Sequence, residues 1–188
     1  FRHSITKMSH IHFAATNEYA NRIIQLGEDP SRVFNVGGPG IENIKKLNLL
    51  NKDEFEKSIK FKLAKKNILI TFHPVTLENS SAREQFSEIL KALDELDDTN
   101  FIFTKANSDT DGDVINKMID EYVSENPQKA VAFVSLEQLR YLSAIKFVDI
   151  VLGNSSSGLL EVPSFKKATI NKSNLQKGRA RASNVIDV

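Results

Sequence analysis

The rhythm of apolar positions changes part-way along the chain. From Asn67 onward, short unbroken apolar runs alternate with longer stretches in which apolar residues recur every three or four positions. The runs cover residues 67–72, 100–104, 130–134, 147–152 and 168–171. Unbroken runs of this length predict strands covered on both faces, whereas a strand with one wet face alternates. The periodic stretches, residues 81–96, 113–125 and 136–145, predict helices with a single apolar stripe. Strand and helix in strict alternation predict right-handed crossovers and a parallel sheet. The expected fold class is therefore α/β, a Rossmann-like parallel sheet with helices on both faces.

The first third reads differently. Residues 1–9 are short, basic and compatible with a helix, and residues 10–15 predict a strand. Thr16-Asn17-Glu18 reads as the cap of a helix that runs to Leu26 and stops at Gly27. A turn over residues 29–32 leads to a second short strand, residues 33–36. Gly37-Gly38-Pro39-Gly40 is the best linker candidate. Residues 45–66 are highly charged, with Leu47, Leu49, Leu50, Phe55, Ile59 and Leu63 spaced for one amphipathic surface helix. The expected division is residues 1–40, the end of a preceding domain with its crossover, and residues 41–188, a ligand-binding domain.

Composition narrows the classes of function. The 188 residues suffice for one full domain, or for one domain plus part of another, and the start at Phe1 inside a helix-like stretch suggests a piece of something larger. A net charge of +1, with acids and bases interleaved, gives no electrostatic drive toward nucleic acid or an anionic membrane surface. Without cysteine there is no disulfide or thiolate metal site, which fits a reducing, cytoplasmic compartment. No apolar run approaches the roughly 18 residues of a membrane-spanning helix, and no secretory leader is visible. Nothing in the pattern calls for a cofactor.

Candidate chemistry collects at the predicted strand ends. In open parallel sheets ligands bind beyond the carboxyl ends of the strands. The loops at His73 and Asn107, the turn at Val134-Ser135 and the turn Gly153-Asn154-Ser155-Ser156-Ser157-Gly158-Leu159-Leu160-Glu161 should share that edge. The last of these is strand, Gly/Ser turn and helix start, a geometry that turns backbone N–H groups and hydroxyls onto a phosphate. The same residues also make an ordinary helix cap. His73, set before Pro74, is a candidate acid, base or phosphate donor, or a structural loop residue. Glu161 is placed to reach ribose hydroxyls, or is an exposed helix residue. Lys177, Arg179 and Arg181 make a basic cluster, either a solvated surface or a diphosphate clamp. His3, His10 and His12 have no carboxylate at ligand spacing, so no metal site is expected. Asp109-Thr110-Asp111-Gly112 resembles part of a calcium loop, but Asp120 stands where the closing Glu belongs, which favours a helix cap. No nucleophile–base–orienter triad can be assembled from spacing.

Taken together, Phe1-Arg2-His3-Ser4-Ile5-Thr6-Lys7-Met8-Ser9-His10, Thr71-Phe72-His73-Pro74-Val75-Thr76 and Gly153-Asn154-Ser155-Ser156-Ser157-Gly158 with Glu161 and Pro163 resemble the UDP-N-acetylglucosamine 2-epimerases. The likeness is strongest to the hydrolysing branch of bacterial sialic-acid and legionaminic-acid synthesis, and it runs in order over the whole chain. It implies the C-terminal half of a GT-B-like fold, with UDP or UDP-N-acetylglucosamine as ligand. It implies elimination of UDP across C1–C2 to a glycal, then addition of water to give N-acetylmannosamine or a related 2-epimer. By the same likeness His73 is the cleft histidine near the diphosphate, and Asn107 lies near the nucleoside. Val134 sits in the turn that meets the uracil. Ser155, Ser156 and Gly158 hold the phosphates, Glu161 holds the ribose, and Arg179 completes the UDP site. The family's acid and base carboxylates lie upstream of the part matching Phe1, so this stretch by itself is expected to be inactive. The family's C-terminal return helix is also unmatched. Ser173 and Leu175 stand where the family has Gly and Arg, which removes one cationic contact to the diphosphate. Two other readings stay open: a non-catalytic or degenerate nucleotide-binding module, and a GT-B glycosyltransferase. The short strands at residues 10–15 and 33–36 would have open edges, which suggests a homodimer.

Overall fold

The computed structural model describes residues 1–74, 82–107, 110–172, 174–176, 178–179 and 181–188. The chain divides into two units, Phe1–Leu47 and Asn48–Val188.

The first unit holds α1 (Arg2–Met8), β1 (His12–Ala14), α2 (Asn17–Gln25), a 3-10 turn (Pro30–Arg32), β2 (Val33–Asn35) and α3 (Pro39–Lys46). β1 and β2 pair in parallel, His12 opposite Val33. The Thr16 hydroxyl accepts the Tyr19 amide at 3.1 Å and so caps α2, as the sequence predicts. The Gly/Pro cluster expected as a linker is instead the start of α3. Gly38 is its N-cap and Pro39 lies in its first turn, where a fixed φ and a missing N–H cost nothing.

The second unit opens with α4 (Lys52–Ile59). A single helix over residues 45–66 does not form. Asn51 and Glu54 close a capping box that starts α4 afresh, and Lys60 in the left-handed region (φ 51°) ends it. α4 is not a solvated helix either, because Phe55 and Ile59 are buried and Phe55 stacks on Phe147 at 5.8 Å.

There follow β3 (Lys66–Thr71), α5 (Ala82–Asp94), β4 (Thr99–Thr104), α6 (Thr110–Glu125), β5 (Ala130–Phe133), α7 (Glu137–Phe147), β6 (Ile150–Gly153) and α8 (Ser157–Leu160). A 3-10 turn (Val162–Phe165), β7 (Ala168–Asn171), a 3-10 turn (Asn174–Gln176) and β8 (Val185–Asp187) complete the unit. The six strands form one sheet in the order β5-β4-β3-β6-β7-β8, and every pairing is parallel. This is the Rossmann-like sheet that the apolar runs predict. Phe147 closes α7 rather than opening β6. β8 was not expected, since its two apolar residues, Val185 and Ile186, are too few to show a pattern.

Chain order decides which helices cover which face. The steps β3→β4→β5 run one way across the sheet, and the later steps run back, so right-handed crossovers put α5 and α6 on one face and α7 and α8 on the other. Under α5 and α6 lies an aromatic core of Phe72, Phe86, Phe101, Phe103 and Tyr122, with Ile70, Ile115 and Ile119. Alternation turns Leu69 and Ile102 to the opposite face, where α7 packs on β3. Beside α5 the first face continues over β6 and β7 as an apolar trough of about 420 Å³ lined by Ile68, Ile150, Leu152 and Ile170. All six strands end at one edge, at Thr71, Thr104, Phe133, Gly153, Asn171 and Asp187.

Candidate functional site

Beyond that edge lies a cleft of about 460 Å³, bounded by the ends of β3 and β4, the turn into α7 and the turn after β6. Its geometry starts from Gly153. This residue has φ +137°, and a Cβ there would stand 1.8 Å from the Thr71 carbonyl oxygen. Only glycine lets the end of β6 pass so close to β3. Asn154 follows, fully buried. Its amide donates to the Thr71 carbonyl at 3.1 Å. Its side chain accepts the His73 amide at 2.8 Å and donates to the His73 carbonyl at 2.7 Å. Its own carbonyl accepts Gln176 Nε2 at 2.7 Å. At the cleft floor the hydroxyls of Thr71 and Thr104 meet at 2.5 Å.

The turn after β6 differs from the expectation in one respect. α8 is a single turn, and the chain passes through Pro163 into a 3-10 turn. So short a helix has little macrodipole, and any hold on an anion falls to hydroxyls and local amides. Ser155 Oγ accepts the Ser157 amide at 3.4 Å. The Ser157 hydroxyl donates to Glu161 Oε2, which fixes the carboxylate in the cleft wall. Behind the pair lies the buried Tyr141 hydroxyl. Burial pushes this phenol up from its ordinary pKa, and the charge on Glu161 adds to the shift.

The opposite wall comes from β4 and β5. Val134 stands at the rim, 81% exposed. The chain then turns through Glu137 at φ +53°, whose amide donates to Ser135 Oγ at 3.0 Å. Lys105 lines the cleft and reaches back to Asp120 at 2.7 Å. Asn116 grips the backbone of Ala106 at both its amide (2.8 Å) and its carbonyl (3.1 Å), which sets the start of the loop that carries Asn107.

Of the residues singled out from the sequence, His73, Val134, Ser155 and Glu161 line this one cleft. The others lie around it. Asn107 is exposed in the loop after β4. Ser156 is the N-cap of α8, and its carbonyl accepts the Leu159 and Leu160 amides, both at 3.1 Å. Gly158 is buried against β7, where a Cβ would stand 2.7 Å from Thr169 Cγ2. Its place is explained by packing. Arg179 is exposed, its amide on the Gln176 carbonyl at 3.3 Å, and Arg181 pairs with Asp187. His12 is buried against Glu28 at 3.1 Å, and His10 accepts from Arg32 at 3.2 Å. Among the described residues no three His, Cys, Asp or Glu side chains gather as a metal site would require. Val75, Thr76, Asp109, Ser173 and Lys177, named in the motifs above, lie outside the described residues. Asn154 and Ser157 stand inside the Gly/Ser turn, but nothing in the sequence separates their tasks from those of their neighbours. Thr104, Lys105 and Tyr141 carry no local pattern that would have marked them.

The model of one protein family, described as UDP-N-acetylglucosamine 2-epimerase, matches residues 1–188. The chain belongs to the UDP-N-acetylglucosamine 2-epimerase family. Within curated relatives of that family, it is 45% identical over 186 residues to the GDP/UDP-N,N'-diacetylbacillosamine 2-epimerase (hydrolyzing) of Campylobacter jejuni, covering 99% of this chain and 48% of the relative. It is 46% identical over 189 residues to the polysialic acid biosynthesis protein P7 of Escherichia coli, covering 100% and 47%. The chain thus spans about half the length of the curated relatives it matches. Among solved structures, the S. aureus MnaA–UDP co-structure superposes with a TM-score of 0.65 at 17% identity, over 89% of this chain and 44% of that one. That likeness carries the fold alone, a parallel sheet with helices of the GT-B-like kind.

Proposed function

We propose that this chain is the nucleotide-binding half of a hydrolysing 2-epimerase acting on a UDP-linked 2-acetamido sugar. In this reading a base takes the C2 proton as UDP leaves C1, which gives a glycal and free UDP. Water then adds across the double bond, hydroxyl to C1 and proton to C2 on the opposite face, to give the 2-epimer. The relatives' names support a substrate in the class of UDP-N-acetylglucosamine and UDP-N,N'-diacetylbacillosamine. The observation that carries the reading is that Ser155, Glu161, His73 and Val134 line one cleft at the carboxyl edge of the sheet.

Each residue then has a task its position allows. Glu161, held at one oxygen by Ser157, offers its other oxygen to the ribose hydroxyls. Ser155 and Ser156 turn hydroxyls and amides toward the diphosphate. Val134, at the rim, meets the uracil with its backbone, and Asn107 lies toward the nucleoside. His73 donates to a diphosphate oxygen, which eases its departure as charge develops there. Gly158 serves this site by seating α8. Arg179 is exposed and does not line the cleft.

Calorimetry with UDP tests the assignment. Binding by this chain, weakened about tenfold or more in Ser155→Ala and in Glu161→Gln, is the expected result, each loss being that of a charge-assisted hydrogen bond. Absence of binding at millimolar UDP would overturn it and favour a degenerate module. The 188 residues alone are expected to release no UDP from UDP-N-acetylglucosamine, because the acid and base carboxylates for the elimination are assigned to the family's other domain. Release above a His73→Ala control would refute that.

A further inference from the structure

The geometry points to Asn154 as a positioning residue that, together with Gln176, ties His73 to the turn after β6. This rests on the proposed role of His73 in the nucleotide site. In the sequence Asn154 stands only as part of a small-residue turn. The structure gives it a separate task.

Asn154 is 0% exposed, so its side chain serves nothing in solvent. Its amide group forms a two-point clamp on one residue, with Oδ1 on the His73 amide and Nδ2 on the His73 carbonyl. Asparagine suits this because it presents an acceptor and a donor in one plane at the right length. Aspartate would set a second acceptor against the carbonyl, and alanine would leave both His73 groups without these partners. The need for a clamp comes from the sequence. Pro74 removes the N–H that could otherwise anchor the next residue, and β3 has already ended at Thr71. The clamp is held from behind. The Asn154 amide sits on the Thr71 carbonyl, and Gln176 Nε2 holds its carbonyl from the segment after β7. Three strand-end segments, after β3, β6 and β7, therefore meet at one buried residue. The histidine and the serine turn cannot shift independently, and a change in the segment that carries Gln176 reaches His73 through Asn154.

The test reads His73 directly. The chain has four histidines, so the His73 imidazole resonance is assigned by loss of one signal in His73→Gln. In UDP-free protein, Gln176→Ala, which leaves the clamp atoms in place, is expected to shift the His73 resonance. In an Asn154→Ala background the same substitution should no longer shift it. A His73 resonance unmoved by Gln176→Ala, or moved equally in both backgrounds, overturns the linkage. If Asn154→Ala does not fold, Asn154→Asp supplies the second background, and the Gln176→Ala result still decides. A UDP titration forms the second arm: Asn154→Ala should bind about tenfold more weakly, the size of one lost hydrogen bond. Wild-type protein that binds no UDP refutes the nucleotide reading, while the linkage is still judged on the UDP-free spectra.

Discussion

The two halves of the six-stranded sheet are built on different principles. In β3 and β4, five of six residues are buried in each strand, and the cover is aromatic. Phe103 is 0% exposed between Phe86 and Tyr122. In β6 and β7 burial alternates, and beside the buried Val151 of β6 the buried positions of β7 and of the turns include the polar residues Thr169, Asn171, Asn154 and Gln176. The first half gains its stability from apolar area, which is strong but undirected. The second half adds to its apolar contacts a set of buried side-chain hydrogen bonds, which are weak in net terms but directional. Directional bonds set the turn after β6 to within hydrogen-bond tolerance, and that turn is where the proposed ligand contacts lie. The halves meet where β6 pairs with β3.

That seam is the place to break the comparison most severely. Gly153→Ala would force a methyl into the Thr71 carbonyl at a φ no L-residue favours. No cooperative thermal transition by circular dichroism is the expected result; a wild-type transition would show that the strands can part without cost. Next in size is Phe103→Ala, which empties the aromatic core and should cost about 3–5 kcal/mol in urea unfolding. Nucleotide affinity at low temperature should stay within about twofold of wild type if the halves are separable. Thr169→Val probes the polar half. It deprives the Gly158 carbonyl of a 2.9 Å hydrogen bond in a buried site, an expected loss of about 1–2 kcal/mol.

Smaller effects separate the halves by pH. Asp187, on β8, is held below the usual carboxylate range by the Asn171 amide first and then by Arg181. A depressed folded pKa means stability that is present above about pH 4 and lost as pH falls through the folded value. Asp187→Asn should remove that part of the acid sensitivity. In the other half, burial raises the pKa of Tyr122, and its hydrogen bond to Asp94 at 2.9 Å raises it further. Its contribution is present below about pH 10 and lost as pH rises through the folded value, so Tyr122→Phe should flatten the alkaline limb. Smallest of all is Ile186→Ser on β8. At 57% exposed, this side chain should change the unfolding free energy by no more than about 0.5 kcal/mol.

The same division explains what could be read in advance. Runs such as Ile68-Leu69-Ile70 and Phe101-Ile102-Phe103 announce covered parallel strands, because burial on both faces demands apolar residues at every position. β8, lying at the sheet edge, has no such demand and left no trace. The helix expected over residues 45–66 failed because Asn51 and Glu54 close a local capping box, and local hydrogen bonds outweighed a loose apolar periodicity. The Gly/Pro cluster misled for a related reason: Gly and Pro break a chain or begin a helix equally well. At the site, His73, Ser155 and Glu161 were visible because each follows a predicted strand. Tyr141 was not, since a tyrosine on a helix stripe looks like any core residue.

From its sequence alone, this protein's chain order, its parallel sheet and the edge at which ligands would gather were determined, because apolar periodicity and crossover handedness leave few alternatives. Its likeness to the 2-epimerases was also legible there. Tertiary structure alone decided which polar side chains meet. Asn154 lies 81 residues from His73 in the chain, and no local rule joins them. They meet because β6 pairs with β3, because Gly153 lets the strands close, and because a buried amide must find partners.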